Sequence, residues 1–289
     1  MNRLAIERVA HEGIHAATAR SGPLPANFSD LITRMLRRAT FVDARAIRDM
    51  VDGQGISEIV DGPEPRMPWP AVWADFACSV DDRDAGAVLA GQTPGGMVVA
   101  YLIVAIAGRP PCLIGYAEWD EHLPIKGCRQ DGRDLQVYQP VEVVEEGFAR
   151  NTADIAISQL VGFFHLLRLL QCRNISSRPA PAALRPVVSE RLSRRYGPAE
   201  GGYRMHTVTI RIGRERTVPL ASVAAQNRDL PLHLVRGHFK HYSPDAPLFG
   251  RYAGWWWWAP QLRGSGRNGV VDKNYRIAAD QPVEAGAAL

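Results

Sequence analysis

The chain has 289 residues, 46% of them hydrophobic and 22% charged, with 8 Phe, 8 Tyr and 7 Trp. That composition supplies a packed core and excludes a disordered or collagen-like polymer. The net charge of +4 is too small to demand a polyanionic partner, and the longest apolar run, residues 97–108, is too short to span a bilayer, so no membrane association is expected. None of the four cysteines, Cys78, Cys112, Cys128 and Cys172, forms a C-x-x-C pair, which argues against a thiolate zinc site. With no recognisable signal peptide, the expectation is a reducing, cytoplasmic compartment.

Residues 4–20 have helical spacing and contain His11-Glu12-Gly13-Ile14-His15, a literal H-E-x-x-H. On a helix the two imidazoles lie one turn apart and reach one metal, with Glu12 as general base. Only ten residues precede the motif, and no third ligand follows at a recognisable spacing. An amphipathic surface helix is the competing reading. Ser21 to Pro25 breaks the pattern. A second helix, capped by Ser29 or Asp30, is expected to run to about Met50, with Leu31, Met35, Leu36 and Phe41 apolar and Arg34, Arg37 and Arg38 forming a basic face. Residues 1–60 are thus read as a helical segment.

The proline-rich stretch from Asp61 to Pro70 is an extended linker. It leads into an α+β body over residues 66–197. Candidate strands are 71–80, 85–89, 97–107 and 111–119, and the short loops between them imply antiparallel neighbours. Glu118-Trp-Asp-Glu-His122 gathers three carboxylates and a histidine, read as a polar loop at a strand end rather than a metal cluster. Residues 151–173 form a strong helix, with Leu160, Phe163, Phe164, Leu167 and Leu170 spaced for burial against the sheet and Asn151 as its cap. His165 and Cys172 are read as core residues. An arginine-rich helix follows at 181–196, with Arg185, Arg191, Arg194 and Arg195.

Residues 203–277 are read as a β-rich module and 278–289 as a flexible tail. The positive charge is concentrated in this module. Residues 236–276 hold Arg236, Lys240, Arg251, Arg263, Arg267, Lys273 and Arg276 against Asp245 and Asp272, an excess above that of the whole chain. If residues 232–242 are one strand, Arg236, His238, Lys240 and Tyr242 share a face, and His241 points away from His238. Such a row of cation, imidazole, amine and phenol suits phosphate binding or acid–base work on a phosphodiester. In an extended run Trp255, Trp256, Trp257 and Trp258 divide two and two. One pair enters the core. The other pair, if exposed beside Arg251, Arg263 and Arg267, makes a stacking platform with phosphate clamps.

The segment R-G-H-F-K-H-Y, P-L-F-G-R, G-W-W-W-W-A-P-Q-L-R-G and V-D-K-N-Y-R-I resembles the C-terminal part of uncharacterised proteins from actinobacterial phages and mobile elements. It covers about 45 of the 289 residues. Relatives often carry His where this chain has Gln261, and an amide is no general base at neutral pH. The resemblance implies a phage or mobile-element setting and no particular activity.

The leading expectation is an α+β protein that binds RNA or single-stranded DNA through this module in a regulatory or accessory role, without a cofactor. The alternatives are a metal-independent ribonuclease using His238, Lys240 and Arg236 with Tyr242 orienting, a zinc hydrolase using His11, Glu12 and His15, and a structural phage protein that buries the tryptophan run in a homo-oligomer contact.

Overall fold

The computed structural model describes residues 4–16, 28–45, 47, 62–77, 85–106, 108–126, 129–130, 132–135, 137–138, 146–179, 184–200, 202–203, 205–210, 231–235, 237–258, 261–263 and 265–271. The apolar pattern of these residues resolves into an α+β fold with four helices and a mixed sheet. In chain order come α1 (Ala5–Glu12), β1 (His15–Ala16), α2 (Phe28–Arg38), β2 (Ala39–Asp43), then the meander β3 (Ala71–Ala77), β4 (Ala85–Gln92), β5 (Met97–Ala105) and β6 (Cys112–Asp120). Four two-residue strands follow, β7 (Ile125–Lys126), β8 (Arg129–Gln130), β9 (Arg133–Asp134) and β10 (Val137–Tyr138). Next are α3 (Glu146–Leu170), β11 (Ile175–Pro179), α4 (Pro186–Tyr196) and β12 (Met205–Ile210). The last part holds β13 (Pro231–Val235), β14 (His238–Tyr242), β15 (Gly254–Trp258), β16 (Gln261–Arg263) and β17 (Ser265–Val271).

The main sheet has the order β1-β6-β5-β4-β3-β2-β12-β11, with β10 also on β6. Its centre, β3 to β6, is antiparallel as the short loops require. Parallel pairs flank that centre, β1 with β6, β2 with β3 and β12 with β2. β4 and β5 are buried almost throughout, because both faces of the sheet are covered. Val88, Ala90, Val98, Ala100 and Leu102 face α3, whose Leu160, Phe163, Phe164 and Leu167 fill that side. Ala87, Leu89, Tyr101, Ile103 and Leu113 face the other way, against Ile6 and Val9 of α1, Leu36 of α2 and Leu192 of α4. Each fully buried Leu, Ile or Phe contributes about 1.5–3 kcal/mol relative to exposure, so these two layers dominate the stability.

Several sequence expectations are corrected. The first helix stops at Glu12 because Gly13 takes φ 85, and His15 begins a strand. The second helix stops at Arg38, and the β-favouring run Ala39–Asp43 inserts between β3 and β12. The first 60 residues are therefore not all helical, since β1 and β2 are strands of the main sheet. Asn151 lies inside α3, which begins at Glu146, so it is not the cap. β12, read as the opening strand of a C-terminal module, belongs to the main sheet beside β2. Residues 232–242 are two strands rather than one. β13 pairs with β16 and β17, whereas β14 pairs with β15. The tail at 278–289 lies outside the described residues.

The arginine-bearing helices are held by their own cations. Arg195 Nη2 donates to His11 O at 3.0 Å, over the open C-terminus of α1. Arg37 Nε donates to Pro198 O at 3.1 Å just beyond α4. Arg185 pairs with Glu7 at 3.2 Å and Arg194 with Glu190 at 2.6 Å. Cations at helix C-termini satisfy orphan carbonyls and meet the negative end of the helix dipole. Arg195 and Arg37 thus act in the fold, whereas the Arg185 and Arg194 pairs are surface pairs that add little to it.

One acid works in the same way at the opposite end of α1. Leu4 offers no side-chain cap, and Asp75 of β3 replaces it, its Oδ1 accepting the Ile6 N–H at 3.3 Å. Its Oδ2 accepts Trp73 Nε1–H at 2.9 Å. Burial pushes the Asp75 carboxyl up to about 7 despite these hydrogen bonds.

Candidate nucleic-acid interface

β14 and β15 form an antiparallel ribbon with the register His238↔Trp258, Phe239↔Trp257, Lys240↔Trp256, His241↔Trp255 and Tyr242↔Gly254. Alternation along each strand sends Phe239, His241, Trp255 and Trp257 to one face and His238, Lys240, Tyr242, Trp256 and Trp258 to the other. The expected two-and-two division of the tryptophans is therefore what the chain adopts.

The inner face docks on the C-terminal half of α3. Trp257 is 3% exposed, and Trp255 packs against the same core. His165 of α3 packs against both the Phe239 and Trp257 rings, with centroids 5.3 and 5.1 Å away, while those two rings lie 4.7 Å from each other. It is 1% exposed, and among the described residues neither ring nitrogen has a hydrogen-bond partner. Burial, reinforced by Arg168, pushes its pKa down to about 4, so it is a neutral core residue at physiological pH. Gly62 leaves room for the Phe239 ring, which would lie 2.8 Å from an added β-carbon.

The free edge of β15 is closed by the chain leaving α3. Arg173 N–H donates to Trp255 O at 2.9 Å. Asn174 then clamps Trp257 from both sides, its Nδ2 donating to Trp257 O at 2.8 Å and its Oδ1 accepting Trp257 N–H at 3.0 Å. A primary amide presents the donor and acceptor that a neighbouring strand would. The ribbon is thus fixed to the body.

On the outer face Lys240 stands opposite Trp256, and its Nζ lies 5.0 Å from the Tyr242 ring centre. Tyr252 leans on Trp256 with centroids 5.6 Å apart. His238, Lys240 and Arg251 are exposed. Trp256 and Trp258 are half-buried rather than open, and their Nε1 atoms are sealed from solvent without a partner among the described residues. The open rings are others. Phe249 is 79% exposed and Tyr252 48% exposed, both in the loop between β14 and β15. Neither was among the residues expected from the sequence, where the tryptophan run overshadows them. Their signal is Pro247-Leu-Phe-Gly-Arg-Tyr252, a tight-turn composition carrying two rings that a short loop cannot bury. Arg173 joins the site only through the fold. It is exposed, and its Nε lies 3.3 Å from where a β-carbon on Gly254 (φ 109) would sit.

Of the other expected site residues, Arg236 lies outside the described residues, as do the side chains of Arg263 and Arg267. His11 lies in the last turn of α1 and His15 lies in β1, with His15 Nε2 3.1 Å from Glu12 O. The helical spacing that would aim both imidazoles at one metal is absent. Among the described residues no group of three His, Cys, Asp or Glu is placed to hold a metal ion. The acidic run at 118–122 is the end of β6 and the turn that follows it. Glu121 accepts Met67 N–H at 2.7 Å and also bonds Gln92, and Asp120 accepts His122 N–H at 2.8 Å. No helix of the described residues is long and apolar enough to cross a membrane. Compared with models of protein families, with curated proteins and with solved structures, the chain matches none.

Proposed function

We propose that the chain binds nucleic acid through the outer face of the β14–β15 ribbon and the loop at its end. The observation that supports this reading most is the placement of Lys240 opposite Trp256, with Tyr252 against the same indole and Arg251, its neighbour in the chain, exposed. Cations interleaved with rings on a rigid, one-sided surface suit a polymer of phosphates and bases. The resemblance of the C-terminal segment to phage and mobile-element proteins suggests that setting, in which a nucleic-acid-binding chain without a catalytic site would have an accessory or regulatory role. Binding to labelled oligonucleotides should weaken steeply with salt. In the Lys240→Ala/Arg251→Ala variant the slope of log affinity against log salt should fall by about 2, roughly one for each phosphate no longer neutralised. An unchanged slope and affinity in that variant would sink the proposal.

A phosphodiester-cleaving role has one observation in its favour, the shared face of His238, Lys240 and Tyr242. Strand geometry weighs against it. With a rise of about 3.3 Å per residue, His238 and Tyr242 are separated by about 13 Å along the strand, which makes a track rather than a convergent site. RNA cleavage that disappears in His238→Ala would reinstate that role.

A further inference from the structure

Phe249 is the one large side chain of the ribbon and its loop that the fold gives no reason to keep. Its φ is 53, and it is the only non-glycine residue with positive φ among the described residues. Gly250 follows with φ 72. Two successive residues at positive φ are what the mirror-image hairpin turns require, and those turns favour Asn-Gly or Gly-Gly because a β-carbon at positive φ is strained. Here the first position carries a phenyl ring, and burial does not compensate, since the residue is 79% exposed. The turn is firmly held all the same. Gly250 N–H donates to Pro247 O at 3.1 Å and Arg251 N–H to Leu248 O at 3.1 Å. Leu248 and Tyr252 exchange backbone hydrogen bonds of 2.9 and 3.1 Å. Strained backbone of this kind clusters where a chain clamps a ligand, and it is the strain together with the exposure that sets this ring apart from an ordinary surface phenylalanine.

We infer that Phe249 is a base-stacking tip, and that it makes this surface prefer single-stranded over double-stranded nucleic acid. The inference rests on the reading of the ribbon as a nucleic-acid surface and names the substrate class of that surface. Lys240 and Arg251 can meet the phosphates of either form. Only an unpaired, unstacked base offers its face to a ring at the end of a loop, because the faces of duplex bases are covered by their neighbours. Tyr252, 48% exposed and braced by Trp256, provides a second ring at the base of the same turn, where it bridges to Leu248.

The test uses the full chain and fluorescence anisotropy with labelled oligo(dT), oligo(rU) and a mixed-sequence DNA duplex at one salt concentration. The informative variant is Phe249→Gly, because glycine is the residue the backbone there favours. Its melting temperature should equal or exceed that of the parent, while its affinity for the single strands falls on the order of 5- to 150-fold and its weaker duplex binding stays the same. A ring with only a structural role would give the opposite pattern, lower melting and unchanged affinity. Parent and Phe249→Gly binding oligo(dT) equally would overturn the inference and leave the surface reading standing, as would an equal loss on single strand and duplex. Failure of the parent to bind any of the oligonucleotides would overturn both. So would binding to anionic phospholipid vesicles that depends on Phe249 in a protein indifferent to oligo(dT), since the tip would then be a membrane wedge.

Discussion

Replacing Asn174 by Ala tests whether the aromatic ribbon is fastened to the body in the way the hydrogen bonds indicate. Asn174 is 7% exposed, and its amide is the partner of both Trp257 N–H and Trp257 O, at 3.0 and 2.8 Å. Alanine leaves those two backbone groups buried without partners. An unsatisfied buried group costs about 1–3 kcal/mol, so the loss is roughly 2–4 kcal/mol once some water entry is allowed. The Arg173–Trp255 hydrogen bond and the Phe239–Trp257–His165 packing remain. The damage should therefore be local first, with the ribbon loosening from α3 before the sheet unfolds. Hydrogen exchange should show faster exchange of the amides of residues 254–258 and little change in β4 and β5. Tryptophan emission should shift to the red as Trp255 and Trp257 meet water. Asn174→Asp keeps the acceptor for Trp257 N–H but sets a carboxylate against Trp257 O, and should loosen the ribbon at least as much. Undiminished protection of residues 254–258 in Asn174→Ala would refute this account of the docking.

Two buried titratable groups give opposite dependences on pH. Asp75 holds its proton to about 7 in the folded protein against an ordinary 3.8, so the folded state binds more protons than the unfolded one between those values. Its contribution favours folding most below about pH 4 and is lost as pH rises towards 7, by roughly 4 kcal/mol at most. Asp75→Asn should flatten this part of the urea-denaturation profile between about pH 4 and about pH 7, and an unaltered profile would mean that the carboxyl is not sealed. His165 runs the other way. Its folded pKa of about 4 lies below the ordinary 6.5, so stability is lost as pH falls through that window while the unfolded chain takes up the proton. His165→Phe removes two unpartnered buried nitrogens, and should raise the melting temperature and remove the loss between about pH 6.5 and about pH 4. A marked drop in melting temperature would show that those nitrogens have a role in holding the fold.

Local pattern was a good guide wherever an element's neighbours follow from its own composition. The spacing of Leu160, Phe163, Phe164 and Leu167 identified α3 and its buried face, and turn residues located β3 to β6 to within a few residues, because both signals arise from burial on one side of a regular backbone. Simple alternation likewise divided the tryptophans two and two. What the sequence left undetermined were long-range partners. That Ala39–Asp43 is a strand depends on the slot between β3 and β12, which overrides the helical run preceding it. That Arg195 caps α1 and Asp75 starts it depends on contacts 184 and 69 residues apart. Which rings near the C-terminus face solvent was decided by docking on His165 and Asn174, which covers Trp257 and leaves Phe249 and Tyr252 at the open end. Periodicity reports which side of an element is apolar. Only the packed chain selects the surface that covers it, because many partners could bury the same stripe and the native one is chosen by the sum of all the contacts.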